Sequence, residues 1–83
     1  LKGEIYFSLA DYENAIEAFD RAAKMCPNRF VPLYKIFLCY REMDNQPRAD
    51  AVARTIYDKP VKVQSPIVRM IKVRIFNYLN SIN

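Results

Sequence analysis

Two cysteines, three serines and a pair of carboxylates are the side chains from which this chain could build covalent or acid–base chemistry, and their spacing builds none. Cys26 and Cys39 stand thirteen residues apart, and the 83 residues contain no histidine. With no C-x-x-C, the donor sets of zinc sites and dithiol redox pairs are missing, and two buried free thiols are expected. Glu13 and Glu17 share a helix face at i, i+4 and so resemble an acid–base pair, but two acids on an exposed turn are ordinarily a solvated face. Ser8, Ser65 and Ser81 have no base partner and no nucleophile-elbow motif around them, and Ser65 reads as a helix cap. Gly3 is the single glycine, too few for a phosphate-cradling loop. Catalysis is not expected, and neither are a metal or a cofactor.

The remaining candidates are residues of a contact surface. Tyr34, Leu38 and Arg41 recur at i, i+4, i+7, and Arg69, Val73 and Phe76 repeat that spacing, so each set forms one stripe on a helix. Phe7 extends the set from an earlier helix. Aromatic, aliphatic and arginine side chains are the types enriched at binding hot spots, which predicts a protein or peptide partner. The alternative is that these stripes pack on an upstream helix of a longer protein or on a second copy of the chain, as in a homodimer. Nucleic acid is not expected: Arg69, Lys72, Arg74 and Phe76 share a helix, but one aromatic is a thin stacking platform.

Five helices must position these residues. Ile5 to Leu9 and the periodic set Ala15, Ile16, Phe19, Ala22 and Ala23 predict a first helix ending near Ala10 and a second from Tyr12 to Met25, with Asp11 as its N-cap. Pro27 and Asn28 stop that helix, because proline has no N–H to donate. A third helix is expected over Val31 to Met43, closed by Asp44 and Asn45. The fourth runs from Gln46 to Tyr57, with Pro47 in the first turn, where the missing N–H costs nothing. After an extended link, Ser65 and Pro66 read as a cap and first helical residue. The fifth helix then aligns Val68, Ile71, Ile75, Leu79 and Ile82, with Tyr78, on one packing face.

Composition agrees with a small folded domain. A 52% apolar share is too rich for disorder, and no run approaches the roughly 18 apolar residues of a membrane span. The net charge of +4 hides a gradient. Residues 1–20 carry five acids against Lys2, whereas 59–83 hold Lys59, Lys62, Arg69, Lys72 and Arg74 without an acid. Solvated helix faces explain such a tail, although it could also meet an anionic partner. Leu1 is not an initiator methionine and the first helix is short, so a piece of a longer protein is expected.

Gly3 and Tyr6, then Ala15 and Phe19, then Pro27, stand at the intervals G-x-x-Y, A-x-x-x-F and P of the tetratricopeptide repeat, which this segment resembles. Sliding the chain by that repeat's period, about 34 residues, places Tyr40 under Tyr6 and Ala49 under Ala15. Phe37 then replaces Gly3 and Ala53 replaces Phe19, exchanges that can compensate in volume. The resemblance implies an all-α superhelix. Its first unit is 1–27, with a truncated first helix, its second is 28–61, and 65–82 is a capping helix. It also implies a concave groove as the contact surface. The family's carboxylate clamp of Lys, Asn and Arg is not matched, because Tyr34 and Leu38 occupy groove positions.

The run Lys62, Val63, Ser65, Val68 and Ile71 after two such units is similar to the closing segment of the soluble tetratricopeptide region in bacterial O-antigen ligase and polymerase-like membrane proteins. That resemblance implies a non-catalytic periplasmic appendage of a membrane-embedded parent. The alternative is a cytoplasmic adapter that binds a peptide in its groove.

Overall fold

The computed structural model describes residues 2–26, 29–62 and 64–81, and over them the chain is all-α, without a strand. Five helices follow one another: α1 Lys2–Ser8, α2 Tyr12–Met25, α3 Val31–Glu42, α4 Gln46–Asp58 and α5 Pro66–Ser81. Each falls within two residues of its expected bounds. The expected stop at Pro27 and Asn28, the Val63 position of the link and Ile82 of the packing stripe lie outside the described residues.

The chain leaves α1 and α3 through the same turn. At the first, Ala10 N–H donates to Phe7 at 3.1 Å and Asp11 N–H to Tyr6 at 2.9 Å; at the second, Asp44 donates to Arg41 at 3.1 Å and Asn45 to Tyr40 at 2.9 Å. Ala10 and Asp44 both adopt positive φ, 59° and 58°. This is the Schellman arrangement, in which a left-handed residue satisfies the last carbonyls of a helix. The two copies are separated by the same interval that carries Tyr6 to Tyr40 and Ala15 to Ala49.

The N-caps divide. Ser65 Oγ accepts from Val68 N–H at 3.2 Å, the expected cap of α5, and Asn45 Oδ1 accepts from Arg48 N–H at 3.4 Å to start α4. Asp11 sits at the cap position of α2 without making a side-chain cap bond. Its carboxylate instead accepts from Asn14 Nδ2 at 2.8 Å. At the other end of α4, Lys72 Nζ donates to the carbonyls of Ile56 at 2.8 Å, Tyr57 at 2.8 Å and Lys59 at 2.7 Å. An ammonium has three donors, and a helix C-terminus carries orphan carbonyls and partial negative charge, so Lys72 acts as a C-terminal clamp.

Each helix packs on the next, and α5 also touches α3. Gln46 at the start of α4 meets Tyr78 late in α5, whereas Lys72 meets the end of α4, so these two helices run antiparallel. Tyr34 meets Arg74, and Phe37 and Arg41 meet Tyr78, so α3 and α5 run parallel, with α4 behind them. One core cluster gathers Ala15, Phe19, Ile36 and Cys39 from α2 and α3. A second gathers Phe30, Phe37, Ala53, Ile56, Ile71 and Ile75, among others, from α3 to α5. Leu33, Tyr40 and Val52 pack on both and join them.

In each core a large side chain on one helix accompanies a small residue on the next. A Cβ on Gly3 would stand 2.7 Å from the Phe19 ring, so the large side chain comes from α2 and the close approach from α1. In the second core the large side chain is Phe37 on α3, buried in one cluster with Ala53 on α4. Ile71 and Ile75 are fully buried, as the α5 packing stripe requires. The face of α5 turned away from that stripe is apolar: Ile67, Met70, Val73 and Phe76 are 54%, 39%, 53% and 48% exposed, and Val73 and Phe76 lie off the packing face as their contact stripe requires.

Candidate binding groove between α3 and α5

Because α3 and α5 lie side by side and parallel, residues on their flanks line an open cavity of about 430 Å³. Tyr34, Leu38 and Arg41 reach it from α3, and Arg74, Asn77 and Tyr78 from α5. Its floor is aromatic: Phe37 and Tyr78 meet edge to face at 4.8 Å, and Tyr34 stacks on Phe37 at 6.1 Å.

Of the seven residues selected by spacing, three meet here. Tyr34 is buried at 8% exposure, so its ring belongs to the core and its hydroxyl accepts from Arg74 Nη1 at 3.1 Å. Leu38 is half-buried beside it. Arg41 is exposed, and its guanidinium lies 5.7 Å from the Phe37 centroid and 5.3 Å from that of Tyr78. The other four lie elsewhere. Arg69 and Val73 line a neighbouring hollow of about 520 Å³ with Gln64, Pro66 and Met70, and Arg74 borders both it and the groove. Phe76 stacks on Tyr57 of α4 at 6.1 Å. Phe7 meets Tyr12 edge-on at 5.6 Å, with Lys35 5.7 Å from its centroid.

The spacing argument found the groove side of α3 and missed that of α5. Arg74, Asn77, Tyr78 and Ser81 also follow i, i+3, i+4, i+7 and border the packing stripe, which is the signal that could have found them. Choosing between the two stripes requires knowing that Ile71 and Ile75 point between α3 and α4, leaving Arg74 rather than Arg69 on the α3 side.

The two guanidinium groups of the site make no ion pair among the described residues. No Asp or Glu side chain lies within ion-pair distance of Arg41 or Arg74 among the described residues, where the ion pairs are Glu17–Arg21, Asp20–Lys24 and Glu4–Lys35. Tyr78 turns its hydroxyl away, donating to Asp50 Oδ1 at 2.6 Å and accepting from Gln46 Nε2 at 2.8 Å. Burial, then the bond to the Asp50 carboxylate, pushes its phenol up to about 12.

A second cleft opens between α2 and α4. Its cavity of about 460 Å³ is floored by Ile16, Leu33 and Ile36 and rimmed by Glu13, Glu17 and Asp20. The two glutamates are exposed, as expected of a solvated face. The cysteines are free and correct one expectation: Cys39 is buried, but Cys26 is exposed, because α2 ends at Met25 and leaves it beyond the core. Burial pushes the Cys39 thiol up to about 11.

Among the described residues no three His, Cys, Asp or Glu side chains gather to hold a metal ion, and no helix is long and apolar enough to cross a membrane. No protein-family model, curated protein or solved structure matches the chain.

Proposed function

We propose that this chain is a non-catalytic protein–protein interaction module of tetratricopeptide type, with the α3–α5 groove as its contact surface. The observation that carries the reading is the recurrence of one turn, at Ala10 and again at Asp44. The same left-handed residue and the same pair of hydrogen bonds end α1 and α3, and the interval between them equals the tetratricopeptide period. A repeated hairpin stacks so that alternate helices lie parallel on one side, which exposes a continuous wall to partners. Here that wall presents Arg41, Leu38, Arg74 and Asn77 over a buried aromatic floor. Polar groups around anchored rings suit the recognition of another chain.

Lys72, one of the tail's bases, gives its three N–H groups to carbonyls, which leaves one base fewer to bond the phosphates of a nucleic-acid strand. Setting the chain in the periplasm, as part of an O-antigen ligase-like protein, rests on the run Lys62 to Ile71. In the fold Ser65 caps α5, Ile71 is buried and Val68 packs on the core, so these members already have folding roles. The adapter reading, in either compartment, depends only on the groove.

The test is a pull-down with the 83-residue chain against one carrying Leu38→Asn. Leu38 is half-buried at the groove and packs on the core from that side, so the variant should melt at a lower temperature, keep the helical circular dichroism spectrum well below it, and lose the retained protein there. Equal retention by both chains would place the contact surface elsewhere.

A further inference from the structure

The α3–α5 groove holds two guanidinium groups with no carboxylate of the described residues within ion-pair distance, and we infer that it takes an acidic side chain of a bound peptide, carried between Arg41 and Arg74. The inference rests on the groove being the contact surface and adds the chemistry of what enters it.

Both arginines are held by the fold rather than by counter-charges. Arg41 lies along the Phe37 and Tyr78 rings, which orient it without engaging its N–H groups. Arg74 spends one N–H on Tyr34 Oη and keeps the rest of its fork. Tyr34 Oη, accepting from Arg74, has no acceptor for its own proton among the described residues. Asn77 adds an amide on the same wall. These groups supply N–H and O–H donors around a cavity of about 430 Å³, space for one side chain and its backbone. Of the nearby acids, Asp50 turns Oδ1 to Tyr78 and Gln46 on the α4 side, and Asp44, which shares a smaller hollow with Arg41 and Tyr78, makes no ion pair with Arg41.

A glutamate or aspartate side chain fits this set. Its methylenes lie on the aromatic floor, and its two oxygens accept from guanidinium forks, the strongest hydrogen-bond class available to a carboxylate. A neutral amide would offer one acceptor and bring two N–H groups against an array of donors. The site therefore selects charge as well as shape.

A labelled nonapeptide alternating glutamate with leucine, and its glutamine counterpart, are titrated into the 83-residue chain, with binding read by fluorescence anisotropy and amide chemical shifts. The acidic peptide is expected to bind at least about tenfold more tightly and to shift α3 and α5 amides at the groove. Arg41→Gln and Arg74→Gln should each weaken it by about tenfold to a hundredfold, and Arg54→Gln, on the exposed side of α4, should leave it unchanged. Arg41 is exposed and rests on rings rather than on a carboxylate, so its variant reports even if Arg74→Gln is unstable. Equal groove binding by both peptides would overturn the acidic assignment and leave the contact surface standing. An equal loss in Arg54→Gln would reduce the effect to net charge and overturn the assignment as well. No groove shift with either peptide would overturn both.

Discussion

Among single residues, burial separates groups that spacing alone puts together. Tyr34 and Arg41 share a stripe, yet one is core and the other solvated. Tyr34→Ala should therefore cost about 3 kcal/mol through the cavity it leaves, whereas Tyr34→Phe should preserve the melting temperature and release only Arg74. Chemical denaturation of both variants checks this. Two raised pKa values, at Cys39 and Tyr78, bear on how the fold responds to alkali. Cys39 moves from 9.0 to about 11 and Tyr78 from 10.0 to about 12. Each neutral form is favoured in the folded chain, so the stability it contributes is complete below the ordinary value and is lost as pH climbs through the folded one. Thermal midpoints should hold up to about pH 9 and fall between about 9 and 12. Cys39→Ala should flatten the lower part of that fall and Tyr78→Phe the upper part. An unchanged slope in both variants would assign the loss to other groups.

In the helices, the ends hold what the interiors do not. Ala10 carries a Cβ at positive φ, a strain of about 1–2 kcal/mol that glycine lacks. Ala10→Gly should raise stability by about 0.5–1 kcal/mol after the greater freedom of the unfolded chain is subtracted. Ser65→Ala should lower it by about 1 kcal/mol, and Asp11→Ala by clearly less, because only the serine bonds a backbone N–H. Equilibrium unfolding of the three variants gives the order. Gly3 shows the same logic inside a helix. Gly3 is in the first turn of α1, so Gly3→Ala gains less than the roughly 1 kcal/mol of a helix interior, and its methyl meets Phe19 at 2.7 Å. Overpacking costs about 1–3 kcal/mol, so no net gain is expected until Phe19→Leu makes room. A double-mutant cycle would read that coupling.

For the molecule as a whole, two small cores share Leu33, Tyr40 and Val52, which should make unfolding one transition in α2 to α5. The two-turn α1 packs chiefly on α2 and reaches α3 through Glu4–Lys35 at 3.4 Å. Hydrogen exchange should therefore show α1 amides opening well before those of α3. Protection of α1 equal to that of α3 would mean that the first hairpin is no weaker than the rest.

Much of the fold was legible in the sequence because helix periodicity, Pro47, Ser65 and Pro66 act over neighbouring residues. The return of Tyr6 and Ala15 as Tyr40 and Ala49 was legible in the same way. The groove was half legible. A stripe on α3 could be assigned from its own spacing, but the α5 stripe depended on which way Ile71 and Ile75 turn once α3 and α4 are both in place. Local patterning determines which residues lie on one side of a helix, whereas the rotation of that helix against two neighbours is set by packing energy summed over residues distant in sequence. Five helices and their order therefore follow from the chain's own pattern, while the pairing of Arg41 with Arg74 rather than Phe76 comes from how three helices settle against one another.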